Sequence, residues 1–187
     1  LGQYGLQIGK RGVNDPWMVE VKEGIAASVA EAIAALRPAE MVATEVDIST
    51  AVPEKGTRNF INDNRDPRIV DEMMGVAWFK GLEDGETIAT LVSLGNHPEA
   101  LAHLNNAITS DFAHYLREAM ENGVQWRSGA VDGLGGVSMY LQASVGGMMT
   151  PLGVEVTNID GDVFETATCE KAEASGQSLA TLALRGL

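Results

Sequence analysis

The run Thr87-Ile88-Ala89-Thr90-Leu91-Val92-Ser93-Leu94 constrains the fold more than any other part of the chain. Its almost continuous apolar character places it as a strand near the centre of a sheet, since a strand with a solvated face would alternate. A second β-rich run, Gly75 to Lys80, precedes it. The connector Gly81-Leu82-Glu83-Asp84-Gly85-Glu86 carries an Asp-Gly pair and suits a β-hairpin. The central run empties into Gly95-Asn96-His97-Pro98, where a glycine permits close backbone approach and a proline fixes the turn.

Helical patterns flank these strands. Asp15-Pro16 marks a helix start, and Met18, Val21, Ile25, Val29, Ile33 and Leu36 follow at spacings of three or four until Pro38. Met41 to Ile48 alternates as a strand. Ser49 to Asp71 is polar, holds Pro53 and Pro67, and predicts a long loop, a feature that in compact domains is usually functional or disordered. Thr109-Ser110-Asp111 caps a helix over about Phe112 to Glu121, stopped by Gly123, and Val137 to Leu141 is a further strand. The tail from about 166 to 187 predicts a helix interrupted by Gly176. Strands interleaved with helices give an α/β fold, a layered mixed β-sheet with flanking helices. The expected layout is a single partial domain over 1–187, with a loop over 1–14, a core over 15–165 and the C-terminal helix. The start at Leu1 and the helical stop at Leu187 suggest a fragment of a larger catalytic domain.

Composition narrows the function. With 13 Lys+Arg against 26 Asp+Glu the net charge is −13, and no stretch gathers the basic residues that track a phosphate backbone, so nucleic acid is not an expected partner. At 45% hydrophobic and 21% charged the chain can bury a core. The single cysteine, Cys169, rules out an internal disulfide and a thiolate-only zinc site. No apolar run approaches the roughly 18 residues that span a bilayer, which predicts a soluble chain.

Four places could carry chemistry. His97, held stiffly where a central strand ends, suits a metal ligand or a base; a turn histidine bonded to backbone is the other reading. His103 and His114 fit surface or helix-flank positions better. The turn Gly146-Gly147-Met148-Met149-Thr150-Pro151 sets successive amides beside a hydroxyl, as an oxyanion pocket with an adjacent nucleophile would require, although a Gly-Gly turn can also be only a turn. Arg65 in the polar loop could reach a carbonyl or carboxylate, or pair with Asp63 or Asp66. The chain has no His-x-His and no His-Glu-x-x-His, so His97 supplies at most one side of a mononuclear zinc site.

Taken in order, these segments resemble the central part of the catalytic domain of the neutral/alkaline non-lysosomal ceramidase family. The helix ending Ala-Leu-Arg-Pro-Ala, Asn64-Arg65 with Val70-Asp71, the strand running into His97-Pro98, Thr109-Ser110-Asp111-Phe112, and Tyr140-Leu141-Gln142 through Thr150-Pro151 carry the likeness. It implies a zinc amidohydrolase that cleaves the N-acyl amide of a ceramide-like lipid into fatty acid and sphingoid base. His97 matches a zinc ligand, Thr150 stands where the family has a catalytic serine, and Arg65, Gly146 and Gly147 fall at substrate-binding positions. The family's glycine spacing before that hydroxyl differs by one residue. Its other ligands would lie outside this chain, so the 187 residues alone are expected neither to hold catalytic zinc nor to turn over substrate. The resemblance further implies a secreted, periplasmic or cell-surface protein, peripheral membrane contact, and the rest of the catalytic domain as a partner. A non-catalytic relative that binds a lipid head group or glycan on the same scaffold is the alternative.

Overall fold

The computed structural model describes residues 14–145 and 149–187. The chain divides into two units, Leu1–Pro38 and Ala39–Leu187.

The first unit contains helix α1, Asp15–Ala34. Its cap is Asn14, one residue before the expected Asp15: the Asn14 side chain accepts from the Trp17 amide (3.3 Å) and Pro16 sits in the first turn, where a missing N–H costs nothing. The helix ends at Ala34, four residues short of Pro38, because the residue before a proline avoids helical backbone and the frayed turn anticipates it.

In the second unit, β1 (Ala39–Asp47), β2 (Met73–Gly81), β3 (Thr87–Leu94) and β6 (Val137–Gln142) form one sheet in the order β1-β2-β3-β6. The first three strands are antiparallel and β6 joins β3 in parallel, so β3 is central and the sheet is mixed. The β3-to-β6 crossover carries helix α2 (Phe112–Asn122) and a small ribbon of β4 (Val124–Trp126) and β5 (Gly129–Val131). A second ribbon, β7 (Val156–Thr157) with β8 (Val163–Phe164), precedes helix α3 (Cys169–Gly186). Neither ribbon is apparent in the sequence, since two or three residues are too few to show a period.

Period-2 alternation sorts the sheet. Thr44, Val76, Val92 and Tyr140 form one row across all four strands, and the Tyr140 ring meets Phe112 of α2 edge to face, with centroids 5.5 Å apart. Val46 of β1 touches the end of α3 at Gly186 on this same face. The α2–α3 layer therefore covers one side of the sheet. The opposite row, Ala43, Ala77, Leu91 and Met139, is less covered, and Met41, Met139 and Leu141 are exposed there.

Gly176 does not interrupt the last helix. It lies inside a continuous α3 at its crossing with α2, where a Cβ would stand 2.4 Å from the Phe112 carbonyl oxygen. The Ser49–Asp71 segment is not a free loop either. Ile48, Val52, Phe60 and Ile61 are buried in the core, and the fully buried Asn59 amide clamps Thr157, donating to its carbonyl (2.9 Å) and accepting from its N–H (2.8 Å). Two short 3-10 turns, Ile48–Thr50 and Gly56–Asn59, carry it across the core.

Candidate functional site

Three segments meet where β3 and β6 end. Leu94 leads into Gly95, which takes no larger residue, since a Cβ there would lie 2.6 Å from the Ser144 carbonyl oxygen. The Tyr140 hydroxyl donates to the carbonyls of Leu94 (2.9 Å) and Asn96 (3.2 Å), and Gln142 Nε2 donates to Leu94 as well (3.2 Å). Burial pushes the Tyr140 phenol well above its ordinary range, so it remains a neutral donor. Asn96 is 2% exposed and donates to the Phe60 carbonyl (3.2 Å). These bonds hold the turn that carries His97.

The His97 backbone N–H donates to the Met149 carbonyl (3.1 Å), and Thr150 pairs with Asn62 through two backbone bonds (2.7 and 3.0 Å). The sequence positions 62, 97 and 150 thus lie together. The Thr150 hydroxyl donates to Glu99 Oε1 at 2.5 Å and accepts from the Leu152 N–H at 3.0 Å. A hydroxyl facing a carboxylate at that distance forms a strong charge-assisted bond with a fixed rotamer. Thr150 is only 5% exposed. Asn62 and Glu99, which no sequence pattern singles out, are identified by this geometry: one is a backbone bridge with no side-chain signature, the other a carboxylate two residues beyond His97.

Both flanking arms are anchored in the core. Asp111, the N-cap of α2, accepts from the amides of Ala100, Leu101 and Phe112 at 2.9, 2.9 and 2.7 Å. Lys171, buried at the start of α3, donates to the Pro151 carbonyl (3.3 Å). Burial pushes its ammonium pKa down, and the negative charges of Asp111 and Glu165 pull it back.

His97 is half-buried, and among the described residues its imidazole has no hydrogen-bond partner. His103, in a 3-10 turn over Ala102–Leu104, and His114, on α2, are both exposed. The described residues contain no group of three or more His, Cys, Asp or Glu side chains able to hold a metal ion, so a complete zinc site does not fit within them. Gly146 and Gly147 lie outside the described residues.

Arg65 is paired. Its Nε donates to Asp63 Oδ1 (2.9 Å) and its Nη2 to Asp63 Oδ2 (2.7 Å) and to the Ile69 carbonyl, while Asp63 also accepts the amides of Arg65 and Ile69. The pairing with Asp63 is one of the two partners open to it from the sequence. Hydrogen bonding from the guanidinium holds the Asp63 carboxyl far below the usual carboxylate range. A carboxylate with a lowered folded-state pKa contributes stability that is complete above its unfolded pKa, near 4, and is lost as pH falls toward the folded value. As pH falls below about 4 toward that much lower folded value, the 63–69 loop is therefore expected to loosen progressively. Hydrogen exchange of the Arg65 and Ile69 amides checks this: protection should fall with pH in the wild type and be low and flat in Asp63→Asn; an unchanging wild-type profile would contradict it.

Beside this loop lies an open depression of about 1130 Å³, between residues 53–68 and 153–155. Arg65 and Asn62 line it.

No protein-family model matches the chain, and a search of curated proteins finds no match. Among solved structures, the neutral ceramidase from Pseudomonas aeruginosa aligns at a TM-score of 0.63 and 19% identity, over 87% of this chain and 25% of that one. A structure described as ceramidase complexed with C2 aligns at 0.54 and 15% identity, over 80% of this chain and 22% of that one. The likeness is one of fold, and the chain spans about a quarter of the length of the ceramidases it resembles.

Proposed function

We propose that the chain forms part of a ceramidase-like zinc amidohydrolase domain that cleaves the N-acyl amide of a ceramide-like lipid. Water adds across the C–N bond, its hydroxyl going to the acyl carbon and a proton to the nitrogen, which gives a fatty acid and a sphingoid base. The observation that carries this reading is the meeting of His97, Asn62 and Thr150 at the ends of β3 and β6, in a fold shared with neutral ceramidases. In it His97 contributes one zinc ligand, and the others come from outside the 187 residues. Thr150 presents the reacting hydroxyl, oriented by Glu99, and Gly146 and Gly147 line the substrate. Arg65, made rigid by Asp63, faces the substrate's polar end. An extracellular or periplasmic site of action, and contact with a membrane surface, belong to the same proposal. No described helix is long and apolar enough to cross a membrane.

A second reading has a specific observation in its favour. The Thr150 hydroxyl is buried and already makes two hydrogen bonds, as a purely structural threonine would. In that case the scaffold binds a lipid head group or glycan without cleaving it. Fatty-acid release from an N-acyl sphingoid base by the whole catalytic domain separates the two. Thr150→Ala is expected to lower turnover by at least about 100-fold, and Thr150→Ser to retain most of it. Turnover by Thr150→Ala within about threefold of wild type would remove the hydroxyl from the mechanism, a change too small to reflect lost transition-state stabilisation.

A further inference from the structure

The carboxylates of the second unit differ in what holds them. Asp63 accepts from the Arg65 guanidinium and from two backbone amides, Asp111 from three amides, and Asp162 from the Arg127 guanidinium. Such groups are surrounded by N–H donors and fix the loops around them. Glu99 is of another kind. It is half-buried, and among the described residues its side chain makes no ion pair and accepts one hydrogen bond, from the Thr150 hydroxyl at 2.5 Å. The carboxylate keeps acceptor capacity, and the donor it holds is the hydroxyl that the hydrolase reading makes reactive.

Each partner of this bond is anchored separately. The Glu99 N–H donates to the His97 carbonyl (2.9 Å), its carbonyl accepts from Ala102 (3.0 Å), and Asp111 fixes the next two amides. Thr150 is paired with Asn62 through its backbone, and the Pro151 carbonyl after it accepts from the buried Lys171. Contact between two fixed arms is the preorganisation that proton transfer requires. The Leu152 N–H donates to the same hydroxyl oxygen (3.0 Å), where it would stabilise negative charge as the proton leaves. Thr181, by contrast, donates to the Gln177 carbonyl within its own helix, a bond that carries no chemistry.

We propose that Glu99 is the general base of the site and that, paired with Thr150, it forms an acyl-threonine intermediate. This rests on the amidohydrolase reading and adds to it the base and the covalent step. Thr150 Oγ1 attacks the acyl carbon while Glu99 Oε1 takes its proton and the carbonyl π pair moves onto oxygen. On collapse the C–N bond breaks and the nitrogen takes that proton, leaving the threonine ester and the free amine. Water then attacks the ester and gives a proton to Glu99. The ester C–O bond breaks, and the Thr150 oxygen takes the proton back. The sum is one amide and one water to one acid and one amine.

Acyl capture by the whole catalytic domain tests this apart from amide cleavage. The probe is p-nitrophenyl octanoate, an ester acyl donor, with p-nitrophenolate release followed in time and the Thr150 peptide weighed by mass spectrometry. A burst and an octanoyl adduct on Thr150 are expected of wild type, and Glu99→Gln should slow the burst at least about 100-fold, the scale of losing a general base. Glutamine keeps an acceptor oxygen for the hydroxyl, so a merely structural Glu99 would lose little by the change. Its urea midpoint and bound zinc should match wild type. Glu99→Asp, which keeps a base on a shorter arm, is the second variant, with a burst at least about tenfold slower than wild type expected from the misplacement. No adduct on wild-type Thr150, or bursts in both variants within about threefold of wild type, overturns the proposal. Loss of bound zinc in Glu99→Gln also overturns it, by making Glu99 a metal ligand. Amide turnover is assayed separately. Acyl capture without amide cleavage removes the amidohydrolase reading and leaves the dyad, whereas amide cleavage unchanged in Glu99→Gln removes the dyad alone.

Discussion

Asp111→Ala is expected to destabilise the second unit by about 4 kcal/mol, enough to unfold a domain of ordinary stability under mild denaturant. The carboxylate is 2% exposed and accepts the amides of Ala100, Leu101 and Phe112. Removing it leaves three buried donors with no acceptor, each at a cost of roughly 1–3 kcal/mol, and water entering the gap recovers only part of that. A further cost is electrostatic, since Asp111 is the leading negative charge that offsets the burial of the Lys171 ammonium. The backbone at Asp111 is strained, with φ +53° and ψ −145°, a region that residues other than glycine rarely adopt, so the three bonds to its carboxylate also hold the turn in place. Asp111→Asn should lose about half as much, keeping one acceptor oxygen. Urea unfolding followed by tryptophan fluorescence reads both variants. A loss below about 1 kcal/mol for Asp111→Ala would contradict the view that one carboxylate ties the segment after His97 to α2.

The second large effect has the opposite sign from a propensity argument. Alanine in place of glycine inside a helix ordinarily stabilises it by up to about 1 kcal/mol. At position 176 the added Cβ would stand 2.4 Å from the Phe112 oxygen, 2.7 Å from the Leu116 nitrogen and 2.8 Å from Tyr115 Cβ. Two of these are backbone atoms of α2, which cannot swing aside as the tip of a side chain can. The helices must separate, and the interior between them is close-packed. Gly176→Ala is expected to cost about 3 kcal/mol, as a lowered urea midpoint. Gly24→Ala in α1, where nothing among the described residues lies within 4 Å, serves as the control and should be neutral or slightly stabilising. Equal behaviour of the two variants would mean that α2 and α3 are not in the contact described.

These residues also mark how far the sequence could be read. Apolar periodicity identifies β3 over Thr87–Leu94 with its observed bounds, the hairpin that feeds it, and α2 with its Asp111 cap and Gly123 stop, because burial and capping both leave local patterns. The same approach sees Gly176 as a weakness in a helix. Its purpose is a contact with a helix some sixty positions earlier, and nothing local encodes that. The polar stretch after Ile48 was legible only as a loop. Its anchors, Val52, Asn59, Phe60 and Ile61, follow no period, and the Asn59 clamp acts on Thr157 at the far end of the chain.

The candidate site divides along similar lines. His97 was conspicuous because a strand exit with Gly and Pro around a histidine is a local signal. Its proximity to Thr150 followed only from the family resemblance, and the structure places the two segments in direct backbone contact. Glu99 and Lys171, which hold the Thr150 hydroxyl and the Pro151 carbonyl, act across 51 and 20 positions and leave no spacing to read.

The most direct measurement is turnover of an N-acyl sphingoid amide by the whole catalytic domain carrying His97→Ala, beside wild type and His103→Ala. If His97 is a zinc ligand of an amidohydrolase, its loss should lower turnover by at least about a thousandfold, ~4 kcal/mol of transition-state stabilisation, together with bound zinc. The exposed His103 change should leave both intact. Equal turnover by wild type and His97→Ala would contradict the account.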